Sequence, residues 1–240
     1  MINLKSRFEG EELMDGKNIP KATLIPVFED INRCNRILGG NKINLSHLNQ
    51  LINRFDKESY TILDVGCGDG EMLRKVVLQA RKQNRKVKCY GVDLNETTLA
   101  IAREKSTAYP EIVYLNQNVF DWENLKIPVD FVLCTLTLHH IRESQLAAFL
   151  KKLAQIPSTA LIINDLQRSR WAYYLFKLFS TIFIKTEMAR KDGATSIKRG
   201  FLRKELKEMS KRLTFVEHRI HWQWAFRYSW VMTRKNKQNI

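Results

Sequence analysis

The sequence predicts an α/β protein: a seven-stranded, mainly parallel sheet ending in an antiparallel hairpin, with an N-terminal helical cap and an inserted helical lid. Three observations carry this. From Tyr60 onward, apolar runs of strand length alternate with amphipathic runs of helix length, the pattern of a parallel sheet covered on both faces. The first run breaks at Gly66, Gly68 and Gly70, a turn from strand into helix. The last two apolar runs, within "FVEHRIHWQWAFRYSWVMTR", have no helix between them and read as a hairpin.

In chain order, residues 1–58 form the cap and residues 59–240 the main domain. "ATLIPVFEDINRCNRIL" places Ile25, Phe28, Ile31, Ile37 and Leu38 near one helical stripe that stops at Gly39 and Gly40. "LSHLNQLINRF" is a second amphipathic helix. "YTILDVGC" is a buried strand, followed by the helix "EMLRKVVLQARKQ". "VKCYGVDL" is the next strand, and "NETTLAIAREKS" a helix with Asn95 as its N-cap. "IVYLNQNV", "VDFVLCTLTL" and "ALIINDL" are further strands, the last two separated by the helix "ESQLAAFLKKLAQI". The apolar stretch Trp171 to Ile184 opens a lid spanning about 166–200, and "RGFLRKELKEMSKRL" is a helix ahead of the hairpin.

Composition sets the outer limits. The chain has 240 residues, 44% hydrophobic and 27% charged, which suits a soluble globular protein. The N-terminus shows no apolar leader, and Trp171 to Ile184 is interrupted by Lys177 and too short for a bilayer span of ~20 residues. A cytoplasmic location is expected. Cys34, Cys67, Cys89 and Cys134 share no CxxC spacing and read as reduced structural thiols, with no metal site. The net charge of +15 is unusual, with basic residues in "RKQNRKVK", between Lys185 and Arg212, and in the tail "TRKNKQNI". Such a charge attracts RNA or anionic membrane, yet no RGG, zinc-finger or RNP-like pattern accompanies it. Nucleic acid is therefore not the favoured partner.

The glycine turn lies at the carboxyl end of the first strand, where parallel sheets bind ligands. A nicotinamide fingerprint, G-x-G-x-x-G, would need glycine where Glu71 stands. Asp64, just before the turn, would repel a pyrophosphate but could hold an ammonium group. Asp93, ending the second strand, matches the acid that accepts hydrogen bonds from ribose hydroxyls. A nucleoside bearing an amino-acid tail, such as S-adenosyl-L-methionine, has both features.

"ILDVGCGDG", "YGVDLN", "NQNVFDW" and "VDFVLCTLTLHHI" together resemble the successive motifs of class I S-adenosylmethionine-dependent methyltransferases, a Rossmann-like family. The resemblance is strong over Tyr60 to Asp165. It implies that Asp64, Gly66, Cys67 and Gly68 border the methionine end and that Asp93 holds the ribose. Leu94 would pack on adenine, with Asn118 and Val119 at its amino edge, although many members have Asp where Asn118 stands. Cys134 and Thr135 would floor the sulfonium, and Arg36 of the cap would pair with the methionine carboxylate, a plain surface arginine being the alternative.

Base-flipping amino methyltransferases carry an N/D-P-P-Y/F type motif after the fourth strand. "CTLTLHH" has neither the proline nor the aromatic, which leaves RNA methylation as the alternative reading. The chain is similar instead to the small-molecule branch, including ubiquinone/menaquinone-type enzymes. "INRCNRILGG", "LIINDLQRSRWAYYLFKLF" and "SIKRGFLRKEL" resemble bacterial methyltransferases associated with type III polyketide synthases. The expected activity is methyl transfer to O (or C) of a hydrophobic, phenolic or polyketide/quinone-like small molecule. A non-catalytic cofactor-binding module is the other alternative. His140, His139 and Asp165 are the candidate bases, His140 being preferred. Trp171, Tyr173, Tyr174, Phe176, Phe179 and Phe183, with Phe28 of the cap, would wall the acceptor. Lys177 and Lys185 would suit a transient contact with a membrane surface. A monomer or homodimer fits the sequence equally.

Overall fold

The computed structural model describes residues 2–235 apart from 17 and 56; the end of the basic tail lies outside them. Two helices, α1 (Lys21–Ile37) and α2 (Gly40–Phe55), precede β1 (Ser59–Val65). Then follow α3 (Glu71–Lys82), β2 (Lys86–Asp93), α4 (Glu96–Lys105), β3 (Ile112–Asn116), β4 (Val129–Thr135), α5 (Glu143–Gln155) and β5 (Pro157–Leu166). The lid helices α6 (Arg170–Phe183) and α7 (Glu187–Arg199), then α8 (Arg203–Lys211), lead to β6 (Val216–Gln223) and β7 (Arg227–Arg234).

The seven strands lie in the order β3-β2-β1-β4-β5-β7-β6. β1 to β5 are parallel, while β7 runs antiparallel between β5 and β6. The chain winds outward from β1 to β3 and then jumps back to β4 on the other side of β1. That reversal opens a crevice at the carboxyl ends of β1 and β4.

Alternate residues explain why both faces are covered. Leu63, Val65, Val132 and Leu161 pack with α5 and α8 residues such as Leu150 and Leu206. Their neighbours Ile62, Phe131, Leu133 and Ile162 pack against Leu48, Leu51, Val76 and Leu99 of α2, α3 and α4. A strand buried on both sides must be apolar at every position, which is why these runs show no polar alternation.

Three details differ from the sequence reading. The stripe buried by α1 is Leu24, Val27 and Phe28, with Ile37 exposed, because α1 is wedged between α4 and the lid rather than laid on the sheet. Of the glycine pair after α1, only Gly39 takes a left-handed φ, 74°, so α2 starts directly at Gly40. β4 ends at Thr135: Leu136 adopts φ 52° and turns the chain into a short 3-10 segment at Leu138–His140.

The N-terminal residues form a strap across α7. Asp192 of α7 accepts from the amides of Leu13 (2.7 Å) and Met14 (2.9 Å), and Ser196 donates to Glu12 (2.7 Å). Arg7 donates to the carbonyls of His139 and Ile141, both at 3.0 Å. The strap thus closes over the loop that follows β4.

Candidate active site

A cavity of about 1160 Å³ opens at the crevice. Single-ligand pockets run ~300–1,000 Å³, so this one has room for two molecules side by side.

Its first half is the turn after β1. The Gly68 amide donates to Asp93 Oδ2 (3.1 Å) and the Asn95 amide to Asp93 Oδ1 (3.0 Å), so Asp93 braces the turn and keeps lone pairs for a ligand. Asn95 also caps α4 by accepting from the Thr98 amide at 3.1 Å. The bareness of the glycines has an internal cause. A Cβ on Gly66 would lie 2.4 Å from Thr137 Oγ1, and one on Gly70 would lie 1.9 Å from Tyr114 Oη. Both residues have left-handed φ, 70° and 78°, which other L-residues adopt at a cost.

Asp64 is the most telling group here. It is 2% exposed, lines the cavity, and its Oδ1 has no hydrogen-bond partner. Burial, reinforced by Asp93, pushes its carboxyl up to about 8. A buried carboxylate held this way calls for a cation, since removing it from water without a partner costs several kcal/mol. Burial likewise raises Asp93. Cys67, buried beside both acids, has its thiol pushed far upward, first by burial and then by Asp93, so it offers no thiolate nucleophile.

The second half gathers distant segments. His139, 2% exposed, sets Nδ1 2.7 Å from Asp165 Oδ1 and Nε2 3.4 Å from Glu12 Oε1. Burial opposes charge on this ring, but Asp165 and Glu12 outweigh it and raise it to about 9. His139 is therefore an imidazolium at neutral pH. Burial opposes charge on Asp165 and Glu12 too, yet His139 holds both carboxyls below their usual range. His140 Nδ1 lies 2.9 Å from Asp15 Oδ2. His140 prevails over burial in holding the Asp15 carboxyl low, so Asp15 is an acceptor and Nδ1 carries the proton between them. Glu12, His139 and His140 offer ligand atoms within 4.8 Å of one another. His139 Nε2 has no hydrogen-bond partner, so at this ring a proton and a metal ion compete for the same lone pair.

The structure brings Asp64, Gly66, Cys67, Gly68, Asp93, Leu94, Asn118, Val119, Thr135, His139 and His140 to the cavity wall. Asn118 spends one lone pair of its side-chain oxygen on the Phe120 amide (3.0 Å). Three candidates lie off the wall. Arg36 is exposed and off the wall. Cys134 is fully buried beneath Thr135. Asp165 does not line this cavity and sits behind His139, 2.7 Å from its Nδ1, where we read it as a counter-ion rather than a base. His139 stays on the wall, with its Nδ1 taken up by Asp165. Of the lid aromatics, Phe176 and Phe179 join Phe28 on the wall, whereas Trp171 (73% exposed), Tyr174 and Phe183 point outward.

Sequence reasoning missed Glu12, Asp15, Asn41 and Arg227, which all line the cavity. The first two had a visible signal: "EGEELMD" is an acidic cluster in a strongly basic chain. The other two had none, because only the fold brings the start of α2 beside the start of β7.

Residues 62–157 match the family described as a methyltransferase domain. The chain is 29% identical over 112 residues to carboxy-S-adenosyl-L-methionine synthase 1 of Yersinia pseudotuberculosis serotype IB (strain PB1/+), 44% of each chain. It is 42% identical over 55 residues to the 2-phytyl-1,4-naphtoquinone methyltransferase of Thermosynechococcus vestitus, 23% of each. The chain thus spans less than half the length of these curated relatives. Among solved structures, the plantazolicin methyltransferase BamL, in complex with a triazolic desmethylPZN analog and SAH, superposes with TM-score 0.67 at 13% identity, covering 88% of this chain and 90% of that one. Magnesium protoporphyrin IX methyltransferase from Synechocystis PCC 6803 gives 0.55 at 17% identity, covering 82% and 84%. Residues 62–157 thus match a methyltransferase domain, and the fold of the chain is that of these solved methyltransferases.

Proposed function

We propose that this chain, whose residues 62–157 match a methyltransferase domain, is an S-adenosylmethionine-dependent methyltransferase of a hydrophobic small molecule, acting on oxygen. The observation that carries the cofactor is the unpartnered, buried Oδ1 of Asp64, placed where an amino-acid ammonium would satisfy it. Asp93 would take the ribose hydroxyls, with Leu94, Asn118 and Val119 around the base. S-adenosylmethionine supplies an electrophilic methyl on a sulfonium, open to in-line displacement by an acceptor oxygen.

The protein's own part is positioning and proton removal. His140, with Nδ1 2.9 Å from Asp15 Oδ2 and Nε2 3.8 Å from Glu12 Oε2, is the group we assign to take the acceptor's hydroxyl proton. The His139–Asp165 ion pair fixes the backbone beside it: the His139 amide donates to Asp165 Oδ2 at 3.2 Å. Phe28, Phe176 and Phe179 give the acceptor side an apolar wall suited to an aromatic or alkyl group.

The outer face of α6 favours an acceptor drawn from an anionic lipid surface. Trp171, Tyr174, Leu175, Leu178 and Ile182 form an exposed apolar stripe along it. Exposed Arg170, Lys177 and Lys185 flank the stripe, and no carboxylate occurs between Asp165 and Glu187. An apolar face edged with cations is built for the interface of an anionic bilayer. The other side of the same helix supplies Phe176 and Phe179 to the cavity, so one helix would link such an interface to the acceptor's wall.

The test is transfer of radiolabelled methyl from S-adenosylmethionine to alkylphenols, alkylresorcinols and quinols, with tRNA as the competing acceptor. Labelled organic-phase product is expected. Label appearing in tRNA alone would replace the small-molecule reading by the RNA one.

A further inference from the structure

Arg227 has no role in the site so far described, and its surroundings are unusual. It opens β7 opposite Leu166, lines the cavity, and is 3% exposed. Its Nη2 donates to Asn35 Oδ1 at 2.8 Å, while Nε and Nη1 have no hydrogen-bond partner. Among the described residues no carboxylate pairs with it. Room is made for it deliberately: a Cβ on Gly40 would lie 2.9 Å from its Cζ and 3.0 Å from Nη1. The next residue, Asn41, also lines the cavity and has an unpartnered Nδ2. Unpaired N–H donors and a positive charge that Asp165 offsets only from beyond ion-pair distance therefore share one buried corner. A buried guanidinium with no carboxylate in contact and donors unsatisfied is unfavourable unless an anion joins it.

We propose that this corner is an acceptor subsite: the molecule to be methylated carries an ionised oxygen, as carboxylate or phenolate, that docks on Arg227 and Asn41. The planar guanidinium presents its donors in a fork that matches a carboxylate. The assignment to acceptor rather than cofactor rests on topology and on the proposed cofactor site. Arg227 lies three strands from Asp64 in the order β1-β4-β5-β7, roughly 14 Å at ~4.8 Å per strand. The ammonium and carboxylate of a single amino acid are only a few ångströms apart. An acceptor with an anionic head and an apolar body would then lie along the wall from Arg227 to Phe176 and Phe179.

Calorimetry on the SAH-loaded protein, with 4-octylbenzoate and its methyl ester as probes, tests this. The acid should bind at least tenfold more tightly than the ester. Arg227→Met should abolish that preference, Arg227→Lys should keep part of it, and SAH affinity should stay within twofold in both. Asn35→Asp, which supplies an internal counter-charge, should erase the preference while preserving the fold. Equal binding of acid and ester by the native protein, or an unchanged ratio in Arg227→Met or Asn35→Asp, would overturn the proposal. A tenfold loss of SAH affinity in Arg227→Met would also overturn it, by moving the guanidinium to the cofactor's carboxylate. Absence of SAH binding to the native protein would be a failure of the cofactor assignment, and it is seen separately in the loading step.

Discussion

On the β1–β2–β3 side, most of the cavity wall comes from one stretch of chain between Asp64 and Val119, joined by Phe28 and Asn32 of α1; on the β4–β5–β7 side, it needs Glu12, Asn41, Thr135, Phe176 and Arg227. The first side is held by backbone, with glycines fitted against Thr137 and Tyr114 and amides donating to Asp93. The second is held by charge, with His139 between Asp165 and Glu12 and His140 against Asp15. Each side also carries a buried ionisable group with unsatisfied hydrogen-bonding atoms, an acid at Asp64 and a guanidinium at Arg227. A site of this kind fixes one ligand through local geometry and leaves the other to be chosen by segments that can change independently.

The sharpest way to break the backbone-held side is Gly70→Ala. The new methyl meets the Tyr114 hydroxyl while the residue keeps a left-handed φ. Strain and overpacking together should cost about 2–5 kcal/mol, read as a fall in Tm and loss of SAH binding. A variant with native Tm would show that the turn tolerates a side chain.

On the charge-held side, His140→Ala should lower kcat by ~10²–10⁴ with SAH affinity unchanged, and Asp15→Asn should reproduce part of that loss. Equal turnover in His140→Ala would remove His140 from the reaction. His139 makes a different prediction. Its folded value, about 9, lies above the ~6.5 of an unfolded chain, so its stabilising contribution is fully present below about 6.5 and is lost as the pH rises through about 9. The Tm advantage of the native protein over His139→Gln should therefore shrink between pH 6 and pH 10. A gap constant over that range would mean that the ring is not held as a cation.

The smallest effect on chemistry, and a selective one on location, is expected from α6. Leu178→Glu with Ile182→Glu should abolish co-sedimentation with vesicles containing phosphatidylglycerol and leave SAH affinity and Tm unchanged. Equal binding to purely zwitterionic vesicles, or a native dimer that these changes dissociate, would assign the stripe to something other than an anionic surface.

The contrast between the two sides also explains what could be read from the chain. Asp64, the glycines, Asp93 and Asn95 were legible because strand, turn and N-cap are set by neighbours in sequence. The seven strands and the closing hairpin were legible for the same reason. Arg227 and Asn41 were not, since their meaning depends on a contact between α2 and β7. Asp165 was read as a base because a strand-end acid is chemically apt for one; the strap that fills the space before it has no periodicity to reveal its path. Trp171 and Tyr174 were read as pocket lining because composition does not say which face of a helix turns inward.

The central claim is that Asp64 is a buried carboxyl waiting for a cationic ligand. With its value near 8, the group is mostly protonated at pH 7, and pairing with an ammonium must drive the proton off. Calorimetric titration of SAH into the native protein at pH 7, in phosphate and in Tris, should give different heats from proton release, with affinity rising as the pH approaches 8. In Asp64→Asn the buffer difference should vanish and the affinity fall at least ~30-fold, the loss expected when one partner of a buried charge pair is removed. Native protein that binds SAH with no proton release, or an Asp64→Asn variant that binds it equally well, would contradict the account.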